Sequence, residues 1–295
     1  MSDAIDAGQT LTALELDPGE EVCLRLAGGA EKRVRLKHAG AQVVRRGPLP
    51  YADREGVILY RMHAQLEVDG CHVHLARSVP SQENFRDPPR ACGLRVWLDA
   101  VDDIFGFLNE QHGACRPAKR CRLAVWDAAG RICPPLLHPW CPLPPTTLRV
   151  DDCYRGEDTW LGPYDGEDAH GGLDINHPAG TPLWTPLRMD EHGLFDRVGV
   201  DGANNNRWRG LHHWPDGSTW VLQAHHMTRL LVPEDAPIEA GVHFAEGAGV
   251  LSGAHEHSHF VFRVRDRGEE VSLDPWLLFW QMYRDRAATA AGPPI

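Results

Sequence analysis

At 295 residues the chain is long enough for two domains, or for one large β-rich domain with an appendage. Hydrophobic residues at 42% and charged residues at 24% are ordinary globular usage and argue against long disorder or a fibrous class. A formal net charge of -11 opposes long-range attraction to nucleic-acid phosphate and anionic lipid, and no run approaches the ~18 to 20 apolar residues of a membrane-spanning helix. Nucleic acid is therefore not expected as a partner, and a membrane span is not expected either.

Taken in chain order, Met1 to Glu21 is acidic and lacks the basic and apolar regions of a secretory signal, which leaves the route of any export open. Short runs of alternating apolar and polar residues follow at Glu21 to Leu26, Arg33 to Lys37, Val57 to Val68, Cys71 to Ala76, Leu94 to Leu98 and Arg120 to Val125. Period-two alternation of this kind predicts half-buried strands. Val101, Ile104, Phe105 and Leu108 recur at helical spacing and predict one helix over Val101 to Gln111. All eight cysteines precede residue 154 and none forms a C-x-x-C pair, so a zinc ribbon is not expected, while an even number permits disulfides without demanding them. Between Cys133 and Pro145 six prolines forbid regular structure and predict an extended connector, closing an accessory β-rich domain over 1–145.

The second half again reads as strands and turns, with candidates at Gly171 to Asn176, Pro182 to Leu187, Leu194 to Val200, Thr219 to Ala224, Arg229 to Val232, Val242 to Ala245 and His257 to Val264. Asp201 to Ser218, polar and carrying three consecutive asparagines, predicts a surface loop bordering a cleft. Asp274 suits an N-cap and Pro275 a first helical position, so the apolar run Trp276 to Tyr283 predicts a short closing helix packed into the core. The fold class expected is mainly β, an N-terminal accessory β domain followed by a second β-rich domain with a short C-terminal helix.

Three histidine-rich segments carry the chemistry: His170 to Asp174, His225 with His226, and His255 to His259. On an extended strand His255, His257 and His259 share one face, with Phe260, Phe262 and Val264 on the other. Same-face neighbours lie about 7 Å apart, close enough for one imidazole to bind a metal while the next reaches its water or substrate. His170 and Asp174 are too far apart on a straight strand to share one ion, so the chain must bend at Gly171 and Gly172, whose freedom in torsion space permits it. Two imidazoles and a carboxylate would leave a fourth zinc position open for water, the mark of a catalytic site.

These segments resemble the lysostaphin-type, or LytM-type, zinc endopeptidases of cell-wall turnover. His170-Gly171-Gly172-Leu173-Asp174 is similar to the family's H-x-x-x-D, Ala224-His225 to its Y-x-H, and His257-Ser258-His259-Phe260 to its H-x-H-F, together spanning roughly residues 155 to 265. The resemblance implies a zinc metallopeptidase domain over 146–295, one Zn2+ per chain held by His170, Asp174 and His259, and catalytic roles for His225 and His257. It also implies peptidoglycan stem or cross-bridge peptides as substrate, and action at the cell envelope, in the periplasm or outside the cell. Gln223 stands where the family has tyrosine and His226 where it has leucine. Since adjacent strand residues face opposite ways, one of His225 and His226 is expected at the site, and His225 is the choice. Three alternatives use some of the same residues. One is a LytM-like protein without catalysis that binds or regulates at the wall. Another is a zinc protease of the H-E-x-x-H kind, which His255-Glu256-His257-Ser258-His259 spells but which requires a helix. A cupin-like metal barrel is the third, and it leaves His170 and Asp174 unexplained.

Overall fold

The computed structural model describes residues 5–7, 10–26, 28–49, 53–107, 115–164, 168–200, 203–234, 236–248 and 257–291. The chain divides into two compact units, Met1–Pro134 with Leu161–Gly171 and Pro135–Trp160 with Gly172–Ile295. Both are built mainly of β-strands, as the alternating patterns predict. No helix among the described residues is long and apolar enough to cross a membrane.

The first unit holds a five-stranded sheet in the order Ile5–Asp6, Glu21–Arg25, Glu31–Pro48, Glu55–Val68, Cys71–Val79 and a four-stranded sheet in the order Thr12–Leu16, Cys121–Asp127, Leu94–Val101, Arg90–Ala91. Leu94–Val101 is buried along its whole length, so its strand character comes from burial on both faces rather than from alternation. Arg122 is fully buried yet paired, with Nε 2.7 Å from Asp99 and Nη1 3.2 Å from Glu15, the condition under which a core tolerates a charge. The helix expected over Val101 to Gln111 is not formed in its described part. Val101 ends a strand and residues 102–107 are turns with one bridging residue, because Val101 is taken up by pairing with Cys121. Residues 108–111 lie outside the described residues. All eight cysteines are free thiols.

The second unit is an antiparallel sheet whose central order is Leu173–Asn176, His257–Asp266, Thr219–Leu230, Ala203–His213, Glu191–Val200. Pro182–Trp184 pairs with His243–Gly247, and Glu269–Leu273 extends from His257–Asp266. The loop expected over Asp201 to Ser218 is instead largely the strand Ala203–His213, paired on both edges. Its asparagines and arginines hide a strand signal, yet buried Trp208 and two neighbouring strands outweigh their weak propensity. The proline-rich run from Pro135 to Pro145 has neither helix nor strand but is not bare linker: Trp140 is fully buried, 4.8 Å from the Phe260 ring and 6.1 Å from the Phe279 ring. The closing helix runs Trp276–Ala291, with Asp274 Oδ1 accepting from the Trp276 N–H at 3.0 Å as a cap, and buries Trp276, Leu277, Leu278, Phe279, Trp280 and Met282.

Candidate metal centre

Register alone sets the first row of the site. Asp174 lies directly opposite His259 on one side, and His225 directly opposite His259 on the other. Directly paired residues on neighbouring strands point to the same face, so a carboxylate and two imidazoles form one line across three strands. His257, two residues before His259, shares that face and lies opposite Asn176. The other parity, Phe260, Phe262 and Val264, is buried and anchors the strand from behind. Asp174, His225, His257 and His259 are all buried, a costly position for four polar side chains unless they are paired or bind something.

His170 arrives from a separate device. Pro163–Tyr164 and Asp168–Ala169 form a short antiparallel ladder, closed by the Leu161 N–H donating to the His170 carbonyl at 2.8 Å and the His170 N–H donating to the Gly162 carbonyl at 2.7 Å. Tyr164 stacks on the His170 ring at 5.8 Å. The chain then turns through Gly171 and Gly172 into the Leu173–Asn176 strand, where the Asp174 N–H donates to the Asp158 carbonyl at 3.0 Å. One ligand-type atom each from His170, Asp174 and His259 lies within 4.8 Å of the others, and all three residues are buried. Asp174 Oδ1 accepts from His259 Nδ1 at 2.7 Å, and Asp174 Oδ2 lies 3.4 Å from His257 Nε2.

Gly172 is needed for a reason other than torsional freedom. It does not occupy the left-handed region, but a Cβ there would lie 2.6 Å from His259 Nε2 and 2.7 Å from the Phe260 carbonyl oxygen. The absence of a side chain lets the 170–174 segment lie against the imidazole. This corrects the sequence-based reason while keeping the glycine requirement.

The expectation that only one of His225 and His226 faces the site does not hold. Along Ala203–His213 Asn206 and Trp208 are two positions apart, while their partners Met227 and Ala224 are three apart, so the opposing strand carries one extra residue. His226, at φ 59°, absorbs it as a bulge. Alternation breaks there, and both rings reach the cluster: His225 is 4.7 Å from His259 by ring centroids, and His226 is 4.8 Å from His257 and 6.4 Å from His259. His226 Nδ1 is hydrogen-bonded to Asn205 Oδ1 at 2.6 Å and His225 Nε2 to Gln223 Oε1 at 3.2 Å. Tyr154 stacks on His257 at 4.1 Å, and His177 Nε2 contacts Ser258 Oγ at 2.7 Å. Asn205, Gln223, Tyr154 and His177 were not singled out as functional from the sequence. For Gln223 the i, i+2 spacing to His225 is a usable signal, whereas nothing local marks Tyr154 or Asn205.

Burial, reinforced by the neighbouring His226 and His257, holds His259 well below the ordinary histidine range. His226 and His177 are each lowered to about 4, chiefly by burial with a smaller contribution from His257. Neutral imidazole is the form that binds a metal, so the desolvation that makes these rings hard to protonate also readies His259 for that use. His255 and Glu256 lie outside the described residues. His257–His259 is extended and paired, which is incompatible with the helix that an H-E-x-x-H site requires.

No family model matches the chain, and no curated protein matches it. Among solved structures, the chain is similar to lysostaphin from Staphylococcus simulans, at 17% identity over 42% of this chain and 48% of that one, with a TM-score of 0.32. The chain thus spans about half the length of that lysostaphin. It is also similar to a Pseudomonas aeruginosa protein described as an M23-type peptidase, at 15% identity over 89% of this chain and 93% of that one, TM-score 0.32. A zinc-containing peptidase from Vibrio cholerae is 12% identical over 89% of this chain and 84% of that one, TM-score 0.32.

Proposed function

We propose that the chain is a zinc-dependent endopeptidase that hydrolyses amide bonds in peptidoglycan stem or cross-bridge peptides. The observation that carries this reading is the buried His170, Asp174 and His259 cluster, with donor atoms within 4.8 Å of one another. The donor set fits one zinc ion: two imidazoles and a carboxylate are ordinary zinc ligands, and three of them leave a position for water. His170, Asp174 and His259 are the residues that would hold the ion. Bound there, zinc supplies hydroxide near neutral pH and polarises the scissile carbonyl.

The remaining groups provide proton transfer and orientation. His257, its ring fixed by Tyr154, takes a proton at Nε2 from the attacking water and passes it to the leaving amine. Asp174 Oδ2, 3.4 Å from that nitrogen, stabilises the charge while the proton resides there. His225, held by Gln223, supports the developing oxyanion. The substrate class rests on the resemblance of the three histidine segments to the lysostaphin-type family.

The test is digestion of purified peptidoglycan by the zinc-loaded protein, followed by mass analysis of the fragments. New amine and carboxylate ends are expected, and they disappear with a chelator. Absence of new ends at every zinc loading would replace this reading with a binding or regulatory role at the wall.

A further inference from the structure

Two hairpin tips in the first unit bring a pair of thiols together. Asp69 and Gly70, at φ 47° and 81°, form the two-residue turn between Val68 and its partner Cys71. Cys92 and Gly93, at φ 50° and 87°, form the equivalent turn between Ala91 and Leu94. Both are tight hairpin turns in which the two central residues are left-handed, so their backbones are well defined. The tips belong to different sheets of that unit.

Lys32 ties them to one another. Its Nζ donates to Asp69 Oδ2 at 2.7 Å on the first tip, while Asp69 is also held by the Arg33 N–H at 2.9 Å. On the second tip, a Cβ at Gly93 would lie 3.4 Å from Lys32 Cε and 3.6 Å from Nζ, which places that turn against the same side chain. The Cys92 thiol is hydrogen-bonded to Cys71, and both sulfurs act electrostatically on Lys32. Cys71 is exposed and Cys92 half-buried, so a small reagent reaches the first while the second waits beside it.

From this arrangement we propose that Cys71 and Cys92 are a site of intramolecular disulfide formation joining the five-stranded and four-stranded sheets of the first unit. The oxidant is a low-molecular-weight disulfide. The Cys71 thiolate attacks one of its sulfurs, the reagent's S–S bond breaks, and one thiol leaves with a proton. The Cys92 thiolate then attacks the Cys71 sulfur of the mixed disulfide and releases the second thiol. Two protein thiols lose two electrons and two protons, and one reagent disulfide becomes two thiols. Lys32 lies beside both sulfurs, and its positive charge opposes the Cys71 contact and the burial that push the Cys92 thiol up. The other six cysteines do not compete on equal terms with exposed Cys71: Cys115, Cys121, Cys133, Cys141 and Cys153 are buried, and Cys23 is half-buried, its thiol pushed up by burial and then by the Glu31 charge.

Incubating the reduced full-length protein with glutathione disulfide tests this by intact mass, peptide mapping and thermal unfolding. The wild-type protein is expected to lose two hydrogen masses, retain no glutathione and yield one linked peptide pair containing Cys71 and Cys92. Its unfolding midpoint rises by several degrees, because a cross-link restricts the unfolded chain. Cys71→Ser and Cys92→Ser each show neither the linkage nor the rise, and Cys71→Ser takes up less glutathione than Cys92→Ser. Glutathione retained on both wild-type cysteines, or linkage through any other cysteine pair, overturns the proposal. The wild-type peptide map decides the matter even if a variant folds poorly.

Discussion

Replacing Gly172 with alanine is the most direct probe of how the cluster is assembled. The added Cβ would sit 2.6 Å from His259 Nε2 and 2.7 Å from the Phe260 carbonyl oxygen, about 0.7 to 0.8 Å inside ordinary contact distance. Phe260 cannot yield readily, because it is paired with Leu173 on one side and Ala224 on the other. The strain therefore falls on the His259 ring or on the 170–174 segment, and either movement separates His259 from His170 and Asp174. Overpacking of this kind costs about 1 to 3 kcal/mol of stability. A displacement of about 1 Å at a reacting centre costs about 10²-fold in rate. The expected result for Gly172→Ala is weaker zinc binding in competition with a chelator, a lower unfolding midpoint and slower cleavage. Wild-type zinc affinity together with a wild-type midpoint would show that the close approach of Gly172 to His259 does not organise the site.

Further outcomes follow from the same geometry. His259→Ala and Asp174→Ala are expected to lose most of about one zinc per chain by elemental analysis, and full retention in both would remove them from the ligand set. His257→Ala and His225→Ala are expected to keep zinc and fold while cleavage falls by about 10² to 10⁴, and wild-type turnover in either contradicts its role. His177 and His226 have folded-state values of about 4 against 6.5 when exposed, so the unfolded chain binds protons that the folded one refuses. Their stabilising effect is complete above about pH 6.5 and is lost as pH falls toward 4, by at most roughly 3 kcal/mol for each ring. Denaturant unfolding of metal-free protein across that range should show the loss, reduced in a His177→Asn, His226→Asn double variant. An unchanged acid slope in that variant would refute the assignment.

Much of this was legible in the chain itself. The strand His257–Asp266 was readable because histidines and large apolar residues alternate there, and a period of two requires opposite faces. The closing helix announced itself through Asp274, Pro275 and the apolar run after them. His170, Asp174 and His259 stood out through their spacing within the family-like segments, and the fold brings them together. Where local reading failed, partners from elsewhere in the chain decided the outcome. Ala203–His213 looks like a loop by composition, but two flanking strands satisfy its backbone and Trp208 is buried there. His225 and His226 look like opposite-facing neighbours, and only the mismatch of two residues against one between the Asn206–Met227 and Trp208–Ala224 pairs turns both rings toward His257 and His259. Gly172 shows the same division. Its presence beside His170 suggests a bend, but the need for it lies in a carbonyl and an imidazole more than 80 positions away in the chain. Periodicity determines which residues one strand can present to a common face. Which strands meet, in what register and at what distance, is set by long-range pairing that leaves no local trace in the order of residues.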